Sequence, residues 1–402
     1  MDKPIREARG ARLAVSLSGT NLARASDYNQ RVVLQAIRLS PETSRVELSR
    51  TTGLTAPTIA NITRRLIDAG LVKEVGRLQG PRGQPAIQLT IEPLGCIAIG
   101  LNIDRDHLTL VALDLAGQVR SRIAQDIAFA MPEDVVAFVA HNLESLLAEA
   151  GVGRDRVIGV GVAVPNDLGV ITLPGRPSDY DRWAGLSIPT LLAPVMPWPT
   201  VIENDAAAAA IGEAQAGAGS PLASFFYILI NSGLGGGLMI DRHFVEGANK
   251  RSAELGLLPD ATNPAPGAVV QDIVSISALL QMLKDAGLDI ESQKDIRPAD
   301  PQTDRVLERW VDLAAKALIA PLINITCLID PDAIVIGGRL DTALLDRLIA
   351  RLAGALAVTA QPPMTTIIRG ALAADAPVIG AALLPFLDKL LPSDAILMQV
   401  GR

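Results

Sequence analysis

The feature that most constrains this chain is a break in charge near residue 90. Residues 1–90 carry 14 Lys and Arg against 7 Asp and Glu, whereas the whole chain has 36 and 43, which leaves 22 and 36 for the remainder. A basic module of about 90 residues on a larger acidic one calls for two partners of different charge. At 402 residues, with 49% hydrophobic side chains, the chain is long enough for two or three domains with sizeable cores.

The basic module reads as a winged helix. Asn29–Leu39 places Val32, Val33, Ile37 and Leu39 on a broad apolar face, which predicts a helix. Ser44-Arg45-Val46-Glu47 fits a capping box, opening a second helix that runs to about Thr52, and Gly53 permits the tight turn after it. A third helix follows, with Thr55 as N-cap, Pro57 in its first turn and Gly70 at its end. Ile59, Ile62 and Leu66 form its apolar stripe, while Thr58, Asn61 and Arg65 share a neighbouring face with Arg64 beside them. A recognition helix needs this division, because Arg suits guanine O6/N7 and Asn suits adenine N6/N7 in the major groove. The alternative is an ordinary solvated face. Leu71–Val75 and Ala86–Leu89 read as strands around a Gly/Arg-rich loop, the wing, where Arg77 and Arg82 can meet phosphates and Arg82 can enter a minor groove.

The acidic module alternates strands and helices, an α/β pattern. Cys96–Gly100, Leu108–Leu113, Gln118–Ile127 and Val157–Val164 read as strands, and Asp134–Ala150 as a helix. Val201–Asp205 is a strand ending in polar residues before an Ala-rich helix, where α/β sheets place ligands, although Asn204 and Asp205 are also good N-caps. Phe225–Ile230 is a strand followed by Asn231–Gly237, read as a Gly-rich turn, and Ala333–Gly338 is a buried strand. A C-terminal helix, Val378–Leu391, is expected to pack on the first lobe of this module.

Several motifs in order resemble the ROK family (repressors, open reading frames, kinases), in its sugar-responsive repressor branch. They are Gly19-Thr20-Asn21, Gly80–Pro85, Glu203-Asn204-Asp205-Ala206, Ser232–Gly237, Glu246–Asn249 with Ala253–Gly256, and Ile336-Gly337-Gly338. The resemblance implies a winged helix-turn-helix followed by a two-lobed, actin-like α/β fold with a sugar in the cleft. The implied division is an arm at 1–27, a DNA-binding domain at 28–90, lobe 1 at 91–205 with the C-terminal helix 376–402, and lobe 2 at 206–375. In the family's kinases an Asp at the position of Asp205 is the base. In a repressor, Asn204, Asp205 and Glu254 would hydrogen-bond sugar hydroxyls, together with Asn166, Gly233 and Gln271. Asp181 and Trp183 are further pocket candidates, with core packing the alternative for Trp183.

Two departures from the family matter. Its kinases' phosphate loop, Asp-x-Gly-Gly-Thr, corresponds to Asn102–Asp106 here, where the glycines are missing and Asp104 and Asp106 would repel a triphosphate. Its zinc site needs a His and clustered cysteines, but Leu257 follows Gly256 and 258–271 contains neither residue type. The expectation is therefore no cofactor, no metal and no enzymatic activity, with an ATP-dependent sugar kinase as the alternative. Cys96 and Cys327 lie in apolar contexts and read as buried thiols. The basic N-terminus lacks the apolar stretch of a signal peptide, and the longest apolar run, Ala317–Ile329, is interrupted by Pro321 and Asn324. The expected protein is cytoplasmic, without membrane contact. Its expected partners are double-stranded operator DNA, a carbohydrate-like effector and a second copy of itself, as a dimer or higher oligomer.

Overall fold

The structure, a computed structural model, describes residues 22–78, 86–166, 168–170, 176–290, 292–359 and 365–392. It divides into two compact units. The first runs to Ile91 and includes the chain from Leu387 onward; the second is Glu92–Phe386.

In the first unit the order is α1 (Leu22–Leu39), β1 (Thr43–Ser44), α2 (Arg45–Thr52), α3 (Ala56–Asp68), β2 (Val72–Leu78) and β3 (Ala86–Ile91). Helix α1 begins at Leu22, so the boundary expected at residue 28 falls inside a helix. The capping box forms as expected: Ser44 Oγ accepts from Glu47 N at 3.3 Å, and Ser44 N donates to Glu47 Oε2 at 2.8 Å. This holds the Glu47 carboxyl below its usual range, chiefly through the Ser44 backbone bond. Gly53 adopts φ 72°, which releases α2 into the turn before α3. Helix α3 ends in a Schellman motif, with Leu71 N donating to Leu66 O and Gly70 N to Ile67 O, both at 2.9 Å. The sheet order is β1-β3-β2, all antiparallel, with a bulge between Glu74 and Gly76. Val33, Leu34, Ile37, Leu48, Ile59, Ile62, Leu66 and Leu89 are buried. The chain's end, expected on lobe 1, groups with this unit from Leu387 because Arg31 Nη1 donates to the Asp388 carbonyl at 2.7 Å and Leu391 is buried.

The second unit has two five-stranded sheets. The first is built from β4 (Ile97–Ile103), β5 (His107–Asp114), β6 (Val119–Asp126), α4 (Pro132–Ala150), β7 (Val157–Val164), α5 (Ile188–Leu192) and β8 (Thr200–Asn204), in order β6-β5-β4-β7-β8. Its core joins Ile97, Ile99, Leu101 and Leu110 to Val135, Phe138 and Leu146 of α4. After α6 (Asp205–Ala216) come β9 (Phe225–Ile230), β10 (Leu234–Ile240), β11 (His243–Phe244), α7 (Ile276–Asp285), α8 (Pro301–Ile329), β12 (Ala333–Gly338), α9 (Thr342–Thr359), β13 (Thr366–Arg369) and α10 (Ala376–Lys389). The second sheet has order β11-β10-β9-β12-β13, and its core joins Ile228 and Ile230 to Trp310, Leu318 and Leu352. Two such lobes of mixed sheet flanked by helices are the actin-like α/β architecture.

Three sequence readings are corrected. Gly235, Gly236 and Gly237 are not a turn; they pair along β10 with Leu229, Ile228 and Tyr227. Only Asn231-Ser232-Gly233 turns. The strand needs these glycines because a Cβ on Gly235 or Gly237 would stand 2.7 Å from α6 atoms, and one on Gly236 would strike the Phe226 ring. Cys327 is exposed on α8, while Cys96 is buried, and burial pushes its thiol up to about 12. Helix α8 has the length and hydropathy of a bilayer span, with 44% of its most apolar 18-residue window buried, Leu318 and Leu322 among the buried residues.

Helix α10 packs on the first lobe's sheet in its Ala376–Phe386 portion, as expected. It does so backbone to backbone: Cβ atoms on Gly100 and Gly161 would run into the Val378 and Ala381 carbonyls, and one on Gly380 into the Ala208 carbonyl of α6.

Candidate functional site

The strand ends of both lobes of the second unit face one cleft of about 740 Å³ including its mouth. The β7 end brings Asn166, and the junction of β8 and α6 brings Glu203, Asn204 and Asp205. The β9–β10 turn supplies Asn231 and Gly233, and the segment after β11 supplies Glu246, Lys250, Arg251 and Glu254, with Leu257 and Gln271 completing the wall. All six residues singled out for a ligand, Asn166, Asn204, Asp205, Gly233, Glu254 and Gln271, line this cleft. Asp181 and Trp183 do not. Asp181 is exposed elsewhere, and Trp183 is core, donating its indole N–H to the Ala130 carbonyl at 2.9 Å.

Asn204 is the anticipated N-cap and also lines the cleft. Its Oδ1 caps α6, accepting from Ala206 N at 3.0 Å and Ala207 N at 3.2 Å. That orients the side chain at the cleft wall and leaves its amide nitrogen outside the cap. Asp205 Oδ1 accepts from Ala206 N at 2.8 Å. The Asp205 carboxyl is pushed up to about 7, first by burial and next by the nearby Asp104 charge, while Arg105 acts in the opposite direction. Glu203 is also raised by burial. Glu254 Oε1 receives the Asn166 Nδ2 donor at 2.9 Å and lies 3.4 Å from Arg251 Nε. Carboxylates and amides at this density, beside apolar side chains such as Leu234, Phe244 and Leu257, suit the hydroxyls and C–H faces of a polyhydroxylated ligand.

Of the stretch Asn102–Asp106, expected to repel phosphate, Asn102 and Ile103 end β4 and Asp104–Asp106 form the turn to β5, which carries a charge network. Asp104 is buried and accepts from Arg105 N at 2.7 Å and from Asn231 Nδ2 at 2.9 Å. Asp106 lies 2.7 Å from His107 Nδ1 and 2.7 Å from Arg339 Nη1. Burial opposes ionisation of Asp106, but the His107 bond and the Arg339 charge prevail and hold its carboxyl low. Arg339, just after β12, also reaches Asp126 at 3.2 Å, which links the lobes across this turn. Asp106 is therefore paired with a cation, while Asp104 is held by amide donors. Asp104, Asp106 and His107 could between them offer three ligand atoms to a metal, but the Arg339 guanidinium already lies against two of them.

Arg105 was missed by sequence reasoning as a cleft residue. So were Glu203, Asn231, Glu246, Lys250 and Arg251. Most of them come from turns and loops, where a polar residue has no periodicity to mark it, whereas Glu203 ends β8. Usable signals existed for Glu203 and Glu246, which stand in the quoted motifs, and for Arg105, a long cation inside the stretch aligned with a glycine loop.

On the first unit, α3 turns Ile59, Ile62, Thr63 and Leu66 inward and leaves Asn61, Arg64 and Arg65 exposed. Thr58 is half-buried, and Thr55 accepts from Thr58 N at 3.4 Å as the N-cap. Arg64 Nη2 donates to Asn61 Oδ1 at 3.2 Å, so these two move as a pair. Arg77 lies on β2; Arg82 lies outside the described residues, as do Gly19–Asn21 and Gly80–Pro85.

The chain thus joins a three-helix winged unit to a two-lobed actin-like unit with a polar cleft. Residues 98–386 match the ROK family, and residues 26–73 match the winged helix-turn-helix DNA-binding family. The chain belongs to the ROK family, as a member with an N-terminal DNA-binding winged helix. It is 29% identical over 326 residues to the uncharacterized protein y4fQ of Sinorhizobium fredii, covering 80% of each chain. It is 25% identical over 235 residues to the xylose repressor of Bacillus subtilis, covering 57% of this chain and 59% of that one. Among solved structures, a ROK family transcriptional regulator, a homologue of E. coli Mlc, superposes with a TM-score of 0.67 at 21% identity, covering 90% of this chain and 96% of that one.

Proposed function

We propose that the chain is a transcriptional regulator, a repressor of carbohydrate-related genes, whose binding to operator DNA is modulated by a sugar or sugar-like effector in the cleft. The observation that carries this reading is the joining in one chain of an exposed Asn/Arg face on α3 with a cleft rich in carboxylates and amides. The name of the Bacillus subtilis relative supports the sugar. In this reading residues 28–90 bind DNA, with Thr58, Asn61, Arg64 and Arg65 at base edges, Thr55 fixing the start of the helix, and Arg77 and Arg82 on phosphates. Asn166, Asn204, Asp205, Gly233, Glu254 and Gln271 hold the effector. The protein acts in the cytoplasm as a homodimer or higher oligomer, since one winged helix covers little DNA and a pair reads two half-sites. The effector works only through different affinities for two states of the protein.

Fluorescence anisotropy on DNA from upstream of the protein's own gene, at two salt concentrations and against scrambled DNA, tests the first half. Tight binding that prefers the native fragment is expected. A sugar panel added to that complex tests the second, and Asp205→Ala is expected to remove the response to the active sugar while DNA binding persists. Sugar response retained in that variant reduces Asp205 to a capping residue.

One observation favours a second reading, a sugar kinase. An Asp205 carboxyl near 7 is well matched to accept a hydroxyl proton at neutral pH. The lack of glycines at Asn102–Asp106 weighs against it, since close backbone approach to a phosphate needs them. Transfer of labelled phosphate from ATP to any sugar of the panel decides for the kinase.

A further inference from the structure

The cleft contains three long cations, and they differ in their company. Lys250 lies 3.9 Å from Glu246, and Arg251 lies 3.4 Å from Glu254. Arg105 has no carboxylate within ion-pair distance of its guanidinium among the described residues. Its two acidic neighbours in sequence are already engaged, Asp104 by Asn231 and Asp106 by Arg339 and His107. Its backbone is pinned on both sides, the N–H on Asp104 Oδ1 and the carbonyl accepting from Phe129 N at 2.6 Å. The side chain is half-buried and reaches across to the second lobe. Its Nη1 stands 3.1 Å from where a Cβ on Gly233 would be.

We propose that the effector carries an anionic group, a phosphate monoester or a carboxylate on the sugar, and that the Arg105 guanidinium receives it beside Gly233. This rests on the sugar-effector reading above. A guanidinium held partly out of water without a counter-charge is costly, and a bound anion offsets that cost with paired N–H donors in a fixed fork. Asp205, which feels the Arg105 charge, is not within ion-pair distance of it and is a poor counter-charge, because burial keeps its carboxyl partly protonated near neutral pH. Gly233 matters for the same reason. Any side chain there would meet the guanidinium and close the space an anion needs. The carboxylates Asp205 and Glu254 then face the hydroxyl-bearing part of the ligand, and their charges disfavour an anion bound the other way round.

The test is calorimetric titration of the full chain with matched probes: glucose, mannose, galactose and xylose, each as the neutral sugar, its terminal phosphate monoester and its terminal carboxylate. At least one charged form is expected to bind tenfold or more tightly than its neutral parent, with millimolar inorganic phosphate competing. Whether the monoester or the carboxylate wins distinguishes the two sources of charge. Arg105→Gln is expected to erase that tenfold preference, and Arg105→Lys to keep part of it. If Arg105→Gln does not fold in a thermal melt, the Lys variant and the phosphate competition on the unaltered chain decide. A neutral sugar that binds as tightly as its charged forms, with Arg105→Gln weakening both alike, overturns the anionic subsite and leaves the sugar reading in place. Failure of every probe, neutral and charged, overturns both.

Discussion

Asp205 carries its carboxyl at the mouth of a helix and against Ala206 N, yet burial lifts it to about 7. An unfolded aspartate titrates near 4, so between about pH 4 and pH 7 the folded chain holds a proton that the unfolded chain has lost. The contribution of this group to stability is therefore complete below about pH 4 and is lost as the pH rises through about 7. Asp205→Asn is expected to raise the melting temperature at pH 8, by an amount equivalent to at most ~4 kcal/mol, with the difference gone near pH 4. A difference that does not change with pH removes the protonation argument. On α3, Arg65 is exposed, which leaves its guanidinium available to a base edge. Arg65→Ala is expected to weaken binding to the native operator by about 1–3 kcal/mol and to relax preference at one base position. An equal loss on scrambled DNA in the anisotropy assay makes Arg65 a phosphate contact instead.

At the level of elements, what was legible in the sequence was what local chemistry decides. Ser44 and Glu47 sit three apart and cap α2 as their spacing requires; Gly53 and Gly70 sit where a left-handed residue must end a helix. The run Gly235–Gly237 was misread because its cause is not local. Those glycines are set by the approach of α6 and the Phe226 ring to β10, and sequence alone does not reveal which element lies over a strand. The cleft was half legible for the same reason. Asn204, Asp205 and Glu254 stand in recognisable motifs, whereas Arg105 and Asn231 become neighbours only when the lobes fold against one another. Close packing also predicts where the fold will not yield. Gly161→Ala would drive a methyl into the Ala381 carbonyl of α10. The expected cost is about 3 kcal/mol or more, read as a lower denaturation midpoint. A variant as stable as the parent means that α10 can shift outward.

At the scale of the whole molecule, the charge break near residue 90 coincides with the division of the fold at Ile91 and Glu92. Two sites on separate units communicate only through a coupling free energy, and that coupling is reciprocal. If a sugar weakens operator binding by some factor, typically about 5- to 150-fold, then saturating operator must weaken sugar binding by the same factor. Titrating the active sugar into free and operator-bound protein measures both sides of this equality, and sugar affinity indifferent to operator excludes allosteric control. The contacts of α10 with β7 and α6 bear on how the second unit can move at all. Ala163, Ala208 and Ala381 meet with no long side chain between them, and Gly161 and Gly380 bring main chain against main chain. Side chains absorb small displacements by changing rotamer; main-chain atoms have no such freedom. A seam of this kind has no side chains that can repack, so α10, β7 and α6 are expected to move together as one piece.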